Sequence, residues 1–269
     1  MNQGIAAAAF VLTAMGVATA AESPLGELAR AAQNPIADLV SVPFQNNTNF
    51  GYGPSDSKGT QNVLNIQPVV PITLTRDWNL ITRTIFPLVW QPSSVPGGSG
   101  SFGLNEINFT AFLSPANPRN LSWGIGPAAS FPSSTSANVG SQSTWGFGPS
   151  AVAVAEPDPW VLGVLINNLW SIAGDSSNKM LIQYFINYNF EDGWYLTSSP
   201  IITANWNAAS GQKWVVPFGA GFGKLFVLAK LPINGNVSAY YNAVKPDIGP
   251  EWTLRVQATI LLPKQLLGL

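Results

Sequence analysis

The chain has 269 residues, close to zero net charge, and only 9% charged side chains against 46% hydrophobic and 11% aromatic ones. Ordinary soluble domains carry roughly a quarter charged residues, and disordered chains carry few aromatics, so neither class fits; the balanced charge gives no electrostatic basis for a nucleic-acid partner. Cysteine and histidine are both absent, which excludes disulfides, thiolate sites, and the commonest general base and metal ligand.

The N-terminus opens on an apolar run from Ile5 to Ala20, ending in Ala18-Thr19-Ala20-Ala21 ahead of Glu22. A short apolar core followed by small residues predicts a secretory signal peptide over 1–21, although no Lys or Arg precedes the run. No other stretch reaches the ~18 apolar residues of a membrane-spanning helix. Residues 22–37 form an N-terminal segment. Ser23 can cap and Pro24 suits the first helical position, with Leu25, Leu28 and Ala32 on one face; Asn34-Pro35 ends the helix. It is expected either inside a lumen as a plug, in the periplasm, or as a tether.

From residue 38 the period changes to two. In Trp252–Ile260, Trp252, Leu254, Val256, Ala258 and Ile260 alternate with Thr253, Arg255, Gln257 and Thr259. In residues 233–243, Ile233, Val237, Ala239 and Tyr241 oppose Asn234, Asn236, Ser238, Tyr240 and Asn242. In residues 180–190, Met180, Ile182, Tyr184, Ile186, Tyr188 and Phe190 oppose Gln183, Asn187 and Asn189. Successive strand side chains point to opposite faces, so each segment has an apolar face and an amide-rich one. A soluble sandwich would turn the apolar face inward, whereas a membrane barrel turns it to lipid.

Tryptophan placement decides between them. Nearly all ten tryptophans fall at the ends of the alternating segments, and an indole with one polar N–H favours the hydrocarbon–water boundary. The connections agree. Long polar ones fall at 51–60, 91–102, 132–144, 172–178, 207–212 and 244–251, and short ones near Arg76-Asp77, 115–119, 157–159, 191–193 and Ala229-Lys230. The predicted architecture is an all-β transmembrane antiparallel β-barrel over 38–264, about twelve strands, with a short N-terminal helical segment. Expected spans are 38–50, 61–73, 79–90, 103–114, 121–132, 145–156, 160–171, 179–190, 194–206, 213–224, 231–243 and 252–263. Two boxes, Trp123-Gly124-Ile125-Gly126-Pro127-Ala128 and Trp145-Gly146-Phe147-Gly148-Pro149-Ser150, repeat on neighbouring strands, with glycines expected on the inward face. Lys224 falls on the lipid face by parity and is expected to end its strand.

Several segments in fixed order carry a family resemblance. They are Gln33-Asn34-Pro35-Ile36-Ala37-Asp38-Leu39-Val40-Ser41-Val42-Pro43-Phe44-Gln45-Asn46-Asn47, Val63–Ile72, Arg83-Thr84-Ile85-Phe86-Pro87, the two Trp-Gly-x-Gly-Pro boxes, Asn168–Gly174, Val216–Lys224 and Tyr240-Tyr241-Asn242. Together these resemble a Gram-negative outer-membrane family linked by name to the meta pathway of phenol degradation, whose members are often labelled transporters or, misleadingly, neuromedin U. The resemblance implies an outer-membrane barrel passing small organic compounds. The end of the chain, Pro263 to Leu269, lacks the terminal aromatic common in such barrels, so the signal for the barrel assembly machinery is expected within Leu254 to Leu262.

The expected function is a passive channel for small, weakly polar or aromatic solutes, surrounded by outer-membrane lipid; the alternative is a non-conducting surface barrel whose loops bind a partner. Charge on a lipid-facing strand position is costly, so charges within strands are expected to face the lumen. The candidates for a lumenal constriction are Arg83, Glu106, Arg255, Asp38, Gln257, Asn234, Asn236, Asn187 and Gln183. An Arg83–Glu106 ion pair across neighbouring strands is one structural alternative, and an approach of Arg255 to Asp38 another. No catalytic, cofactor or metal site is expected: Glu191-Asp192 falls in a turn, and Asp56, Asp175 and Asp247 are lone loop carboxylates.

Overall fold

The computed structural model describes residues 24–262; the expected signal peptide, and the barrel's expected end at 264, lie outside the described residues. After a helix α1 (Pro24–Gln33) the chain runs through twelve barrel strands. They are β1 (Val40–Tyr52), β2 (Gly59–Ile66 and Val69–Thr73), β3 (Trp78–Gln91), β4 (Ser101–Leu104 and Ile107–Pro115), β5 (Leu121–Phe131) and β6 (Trp145–Ala155). The rest are β7 (Trp160–Ala173), β8 (Asn178–Asn189), β9 (Trp194–Ser198 and Ile201–Asn205), β10 (Trp214–Leu228), β11 (Leu231–Val244) and β12 (Trp252–Leu262). Each pairs antiparallel with its sequence neighbours. The sheet closes where β1 meets β12, in unbroken register from Val40↔Leu262 to Phe50↔Trp252. Closure joins the first strand to the last, as a backbone inside hydrocarbon requires.

The expected alternation holds along the barrel wall. On β12, Trp252, Leu254, Val256 and Ala258 are exposed on the outside, while Arg255 and Thr259 are buried inside. The tryptophans form two belts. Trp78, Trp123, Trp160 and Trp194 lie at the short-turn end, and Trp90, Trp145, Trp170, Trp206, Trp214 and Trp252 at the long-loop end. Neighbours brace them: Trp78 meets Trp123 edge-on at 5.9 Å, Trp206 meets Trp214 at 5.3 Å, and Tyr241 meets Trp252 at 4.9 Å. The indole of Trp206 donates to Asn168 Oδ1 at 3.0 Å, giving the ring its polar partner at the boundary.

Three strands are interrupted where the sequence predicts continuous ones. The breaks fall at Gln67-Pro68, Asn105-Glu106 and Ser199-Pro200. Proline has no N–H to give the ladder and restricts the residue before it, which accounts for two of them. The repeated Gly-Pro boxes act differently. Pro127 and Pro149 pair with each other across β5 and β6. On each flank the ladder skips these prolines, resuming at Leu113↔Ile125 and Ser150↔Asn167. Beside them the sheet folds inward so sharply that a Cβ on Gly126 would lie 1.8 Å from Ala111 O, and one on Gly148 1.8 Å from Asn168 O. Only glycine allows that crease.

Two sequence expectations need correction. β10 does not end at Lys224 but runs on to Leu228, because the tight turn at Ala229 and Lys230, both with positive φ, returns the chain directly into β11. Lys224 stays on the outer face, level with Trp194 of the short-turn belt, with its ammonium 4.7 Å from that ring's centre. The cation is therefore held at the membrane boundary by an aromatic face rather than by a strand end. Second, of the expected α1 face of Leu25, Leu28 and Ala32, Leu25 is exposed, while Leu28 and Ala32 pack beside the buried Ala29 of the same face.

The outward and inward faces should respond unequally to charge. Val256→Arg places a guanidinium toward lipid at a cost of about 2–4 kcal/mol near the midplane, whereas Gln257→Arg projects inward. Heat-modifiable gel mobility should show Val256→Arg largely unfolded and Gln257→Arg folded; equal damage would contradict the orientation.

Candidate functional site: the lumen

The lumen has two chemically distinct halves. On the wall formed by β2, β3, β4, β6, β7 and β8, the inward positions Val69, Ile81, Phe112, Val152, Val154, Val161, Leu165 and Phe185 form one apolar cluster. The alternation predicts an amide- and hydroxyl-rich inner face; on this wall the inner face is apolar as well. Ile36, just past α1, inserts its side chain into this cluster. The opposite wall, β8 to β12 with β1, presents Gln183, Asn187, Asn234, Asn236, Ser238, Gln257 and Thr259 to a cavity of about 150 Å³.

The N-terminal segment packs at the short-turn end. Ala29 packs on Leu225 of β10 and Leu261 of β12, both inward-facing, with Leu28, Ala32 and Leu39 around them. From there the helix reaches the β6–β7 turn. Arg30 Nη1 donates to Asp158 Oδ1 and Nη2 to the carbonyl of Glu156, both at 2.6 Å. Asn34 donates to Glu156 Oε1 at 2.7 Å, and Gln33 to Asn189 Oδ1 at 2.7 Å. Asp158 is 76% exposed, so its ion pair is worth at most about 1 kcal/mol, and the apolar contacts carry most of the hold. Residues Ala31 to Asn34 and Leu39 then form part of the cavity's lining.

Of the nine residues singled out from sequence, Arg83, Arg255, Gln257, Asn234, Asn236, Asn187 and Gln183 all line this cavity. Glu106 and Asp38 do not. Asp38 is exposed in the segment ahead of β1. It does not meet Arg255, because the closing register sets Arg255 opposite Asn47. Nor do Arg83 and Glu106 pair. The register sets Arg83 opposite Thr110, and Glu106 lies at the break in β4 near the long-loop end. There Glu106 accepts the Ser141 N–H at 3.2 Å, tying in the 132–144 loop, and faces Lys179 of β8 at 3.8 Å.

The three strand breaks and the three inward charges belong together. Gln67, at the first break, is 3% exposed and accepts from Arg83 Nη2 through its Oε1. Glu106 is itself at the second. At the third, the Ser199 carbonyl accepts from Arg255 Nη1 at 2.7 Å. Arg255 Nε also donates to Asn47 Oδ1 at 2.9 Å, and its guanidinium lies 4.8 Å from the centre of the Tyr240 ring. At the first break the partner is the Gln67 side chain, and at the third it is a backbone carbonyl; each gives an arginine a neutral acceptor at the lumen. Sequence reasoning found the charges but not these partners; the prolines at 68 and 200 were the available signal. Tyr195, whose hydroxyl donates to Asn234 Oδ1 at 2.8 Å, is a further cavity residue it missed.

Among the described residues neither lumenal arginine reaches a carboxylate within ion-pair distance. Elsewhere charge pairing occurs at the rim: Lys58 donates to Glu251 at 2.5 Å across the β1–β12 seam and holds that carboxyl below the usual carboxylate range. No group of three or more carboxylates that could hold a metal is present among the described residues.

No protein-family model and no curated protein matches the chain. Solved structures do. The COG4313 outer membrane channel from Pseudomonas putida F1 superposes with a TM-score of 0.61 at 16% identity, covering 83% of this chain and 94% of that one. Outer membrane phospholipase A from Escherichia coli gives 0.45 at 14% identity, covering 83% and 92%. A Pseudomonas aeruginosa FadL homologue gives 0.43 at 9%, covering 86% and 91%. The first shares this barrel fold; the other two superpose too loosely to bear on it.

The apolar half of the lumen should behave as a packed core. Phe112, 1% exposed, belongs to it, and Gly124 lies against it. Phe112→Ala should cost about 3–5 kcal/mol in urea unfolding of the micelle-bound barrel. A loss under about 1 kcal/mol would contradict a packed lumenal core.

Proposed function

We propose that the protein is a passive outer-membrane channel for small organic solutes, with long loops facing outside and both chain ends facing the periplasm. The observation that carries this reading is the lumenal cavity between the apolar cluster and the polar wall, bounded on one side by the N-terminal segment. Barrels of ~8 strands are filled by side chains and those of 16–18 leave a wide pore; twelve strands suit a narrow path with a local obstruction. The likeness in fold to an outer membrane channel supports the same reading. A lining that is apolar on one wall and amide-rich on the other suits solutes with an aromatic body and a polar group, in keeping with the phenol-degradation resemblance. Catalysis is no part of this proposal, since the chain contains no histidine to act as a base. Insertion would rely on the barrel assembly machinery recognising β12.

The obstruction is the first target. Removing residues 24–33 takes away α1 together with Arg30 and Gln33. In planar bilayers the intact mature protein should pass small, brief currents, and the deletion should raise single-channel conductance severalfold. Absence of conductance in both, with heat-modifiable folding intact, would overturn the channel and favour a surface barrel that binds partners through its loops.

A further inference from the structure

We propose that the lumenal cavity is a binding site for a small organic anion, an aromatic or alkyl carboxylate whose charged group lies between Arg83 and Arg255. Both guanidiniums line the same cavity, and its lining contains no aspartate or glutamate. Their protein partners are neutral: an amide oxygen of Gln67 for Arg83, and the Asn47 amide and Ser199 carbonyl for Arg255. These bonds use only part of the five N–H donors each guanidinium carries. Arg255 is 6% exposed, so the uncompensated charge is enclosed. A second observation points to a missing acceptor or donor. Ser238, directly opposite Arg255 in the β11–β12 register, is 2% exposed and its hydroxyl has no hydrogen-bond partner. Two like charges enclosed without a counter-charge are an arrangement that an anion stabilises.

The rest of the cavity selects what accompanies the charge. Leu165, Phe185 and Val69 of the apolar wall line it beside the arginines, as does Tyr240, over which Arg255 stacks. An inorganic anion would leave that wall without a partner. At about 150 Å³ the cavity is on the scale of one that holds a benzene-sized ring, with polar groups on its other wall for the charge. A carboxylate can accept from an arginine bidentately while its ring rests on the apolar side. This inference deepens the channel reading and rests on it for the solute's passage, but not for its binding.

The test uses the full mature chain refolded in detergent, with benzoate, its neutral isostere benzamide, and inorganic phosphate as probes. Calorimetric titration should show benzoate binding at least tenfold tighter than benzamide. Phosphate should fail to displace it at equal concentration. Arg83→Gln and Arg255→Gln should each weaken benzoate tenfold or more while leaving benzamide unchanged. Should either glutamine variant lose its folded gel mobility, Arg83→Lys and Arg255→Lys carry the test, since they keep the charge but lose the planar fork; benzoate should then weaken severalfold. Equal binding of benzoate and benzamide, or unchanged benzoate affinity in the folded variants, overturns the site. Displacement by equimolar phosphate overturns its selectivity for organic anions. A barrel that binds benzoate but passes no current refutes the channel and keeps the site; one that conducts but does not bind benzoate refutes the site alone.

Discussion

Inside hydrocarbon there is no water to satisfy a backbone N–H or carbonyl, so the strands must pair all the way round. The contact on which the rest depends is therefore the closure of β1 on β12. Once that register is set, parity is set with it. Even-numbered residues of β12 face lipid and odd-numbered ones face the lumen, and a slip by one residue would expose Arg255 and Thr259 to lipid. The tryptophan belts and the cation–aromatic contact of Lys224 fix the height of the wall in the membrane.

Closure also creates the interior problem. A twelve-stranded barrel lies between those that side chains fill and those that leave a wide aqueous channel. This chain resolves it asymmetrically. One wall turns valine, leucine, isoleucine and phenylalanine inward to form a core with Ile36 at its edge. The other keeps amides, hydroxyls and two arginines around open space. The breaks in β2, β4 and β9 are part of this arrangement, because each supplies an amide group or a charge at the lumen.

Much of this architecture is legible in the sequence because period-two alternation with unequal faces reports both strand and orientation. β8, β11 and β12 alternate apolar with amide residues, and the structure orients them as their parity requires. The apolar half of the lumen is less visible, since Ala151–Ala155 and Val161–Ile166 are apolar at successive positions; the loss of alternation was itself the signal that the inward face is apolar too. Register is not legible. Arg83 and Glu106 are on adjacent strands, yet the pairing of Arg83 with Thr110 and the break at Glu106 separate them. The apolar face of the helix is legible in the same way, since Leu28 and Ala32 pack beside Ala29, but the partners of Arg30 are not: Asp158 and Glu156 lie across the barrel mouth, far away in sequence.

The central claim is that one face of each strand touches lipid and the other encloses the lumen. Nitroxide labels placed singly from Trp252 to Leu262, in the barrel reconstituted in bilayers, test it most directly by relaxation enhancement with oxygen and with a water-soluble nickel chelate. The account predicts a period of two, with oxygen accessibility highest at 252, 254, 256, 258 and 260 and low at 253, 255, 257 and 259. A uniform profile, or one with the opposite phase, would contradict it.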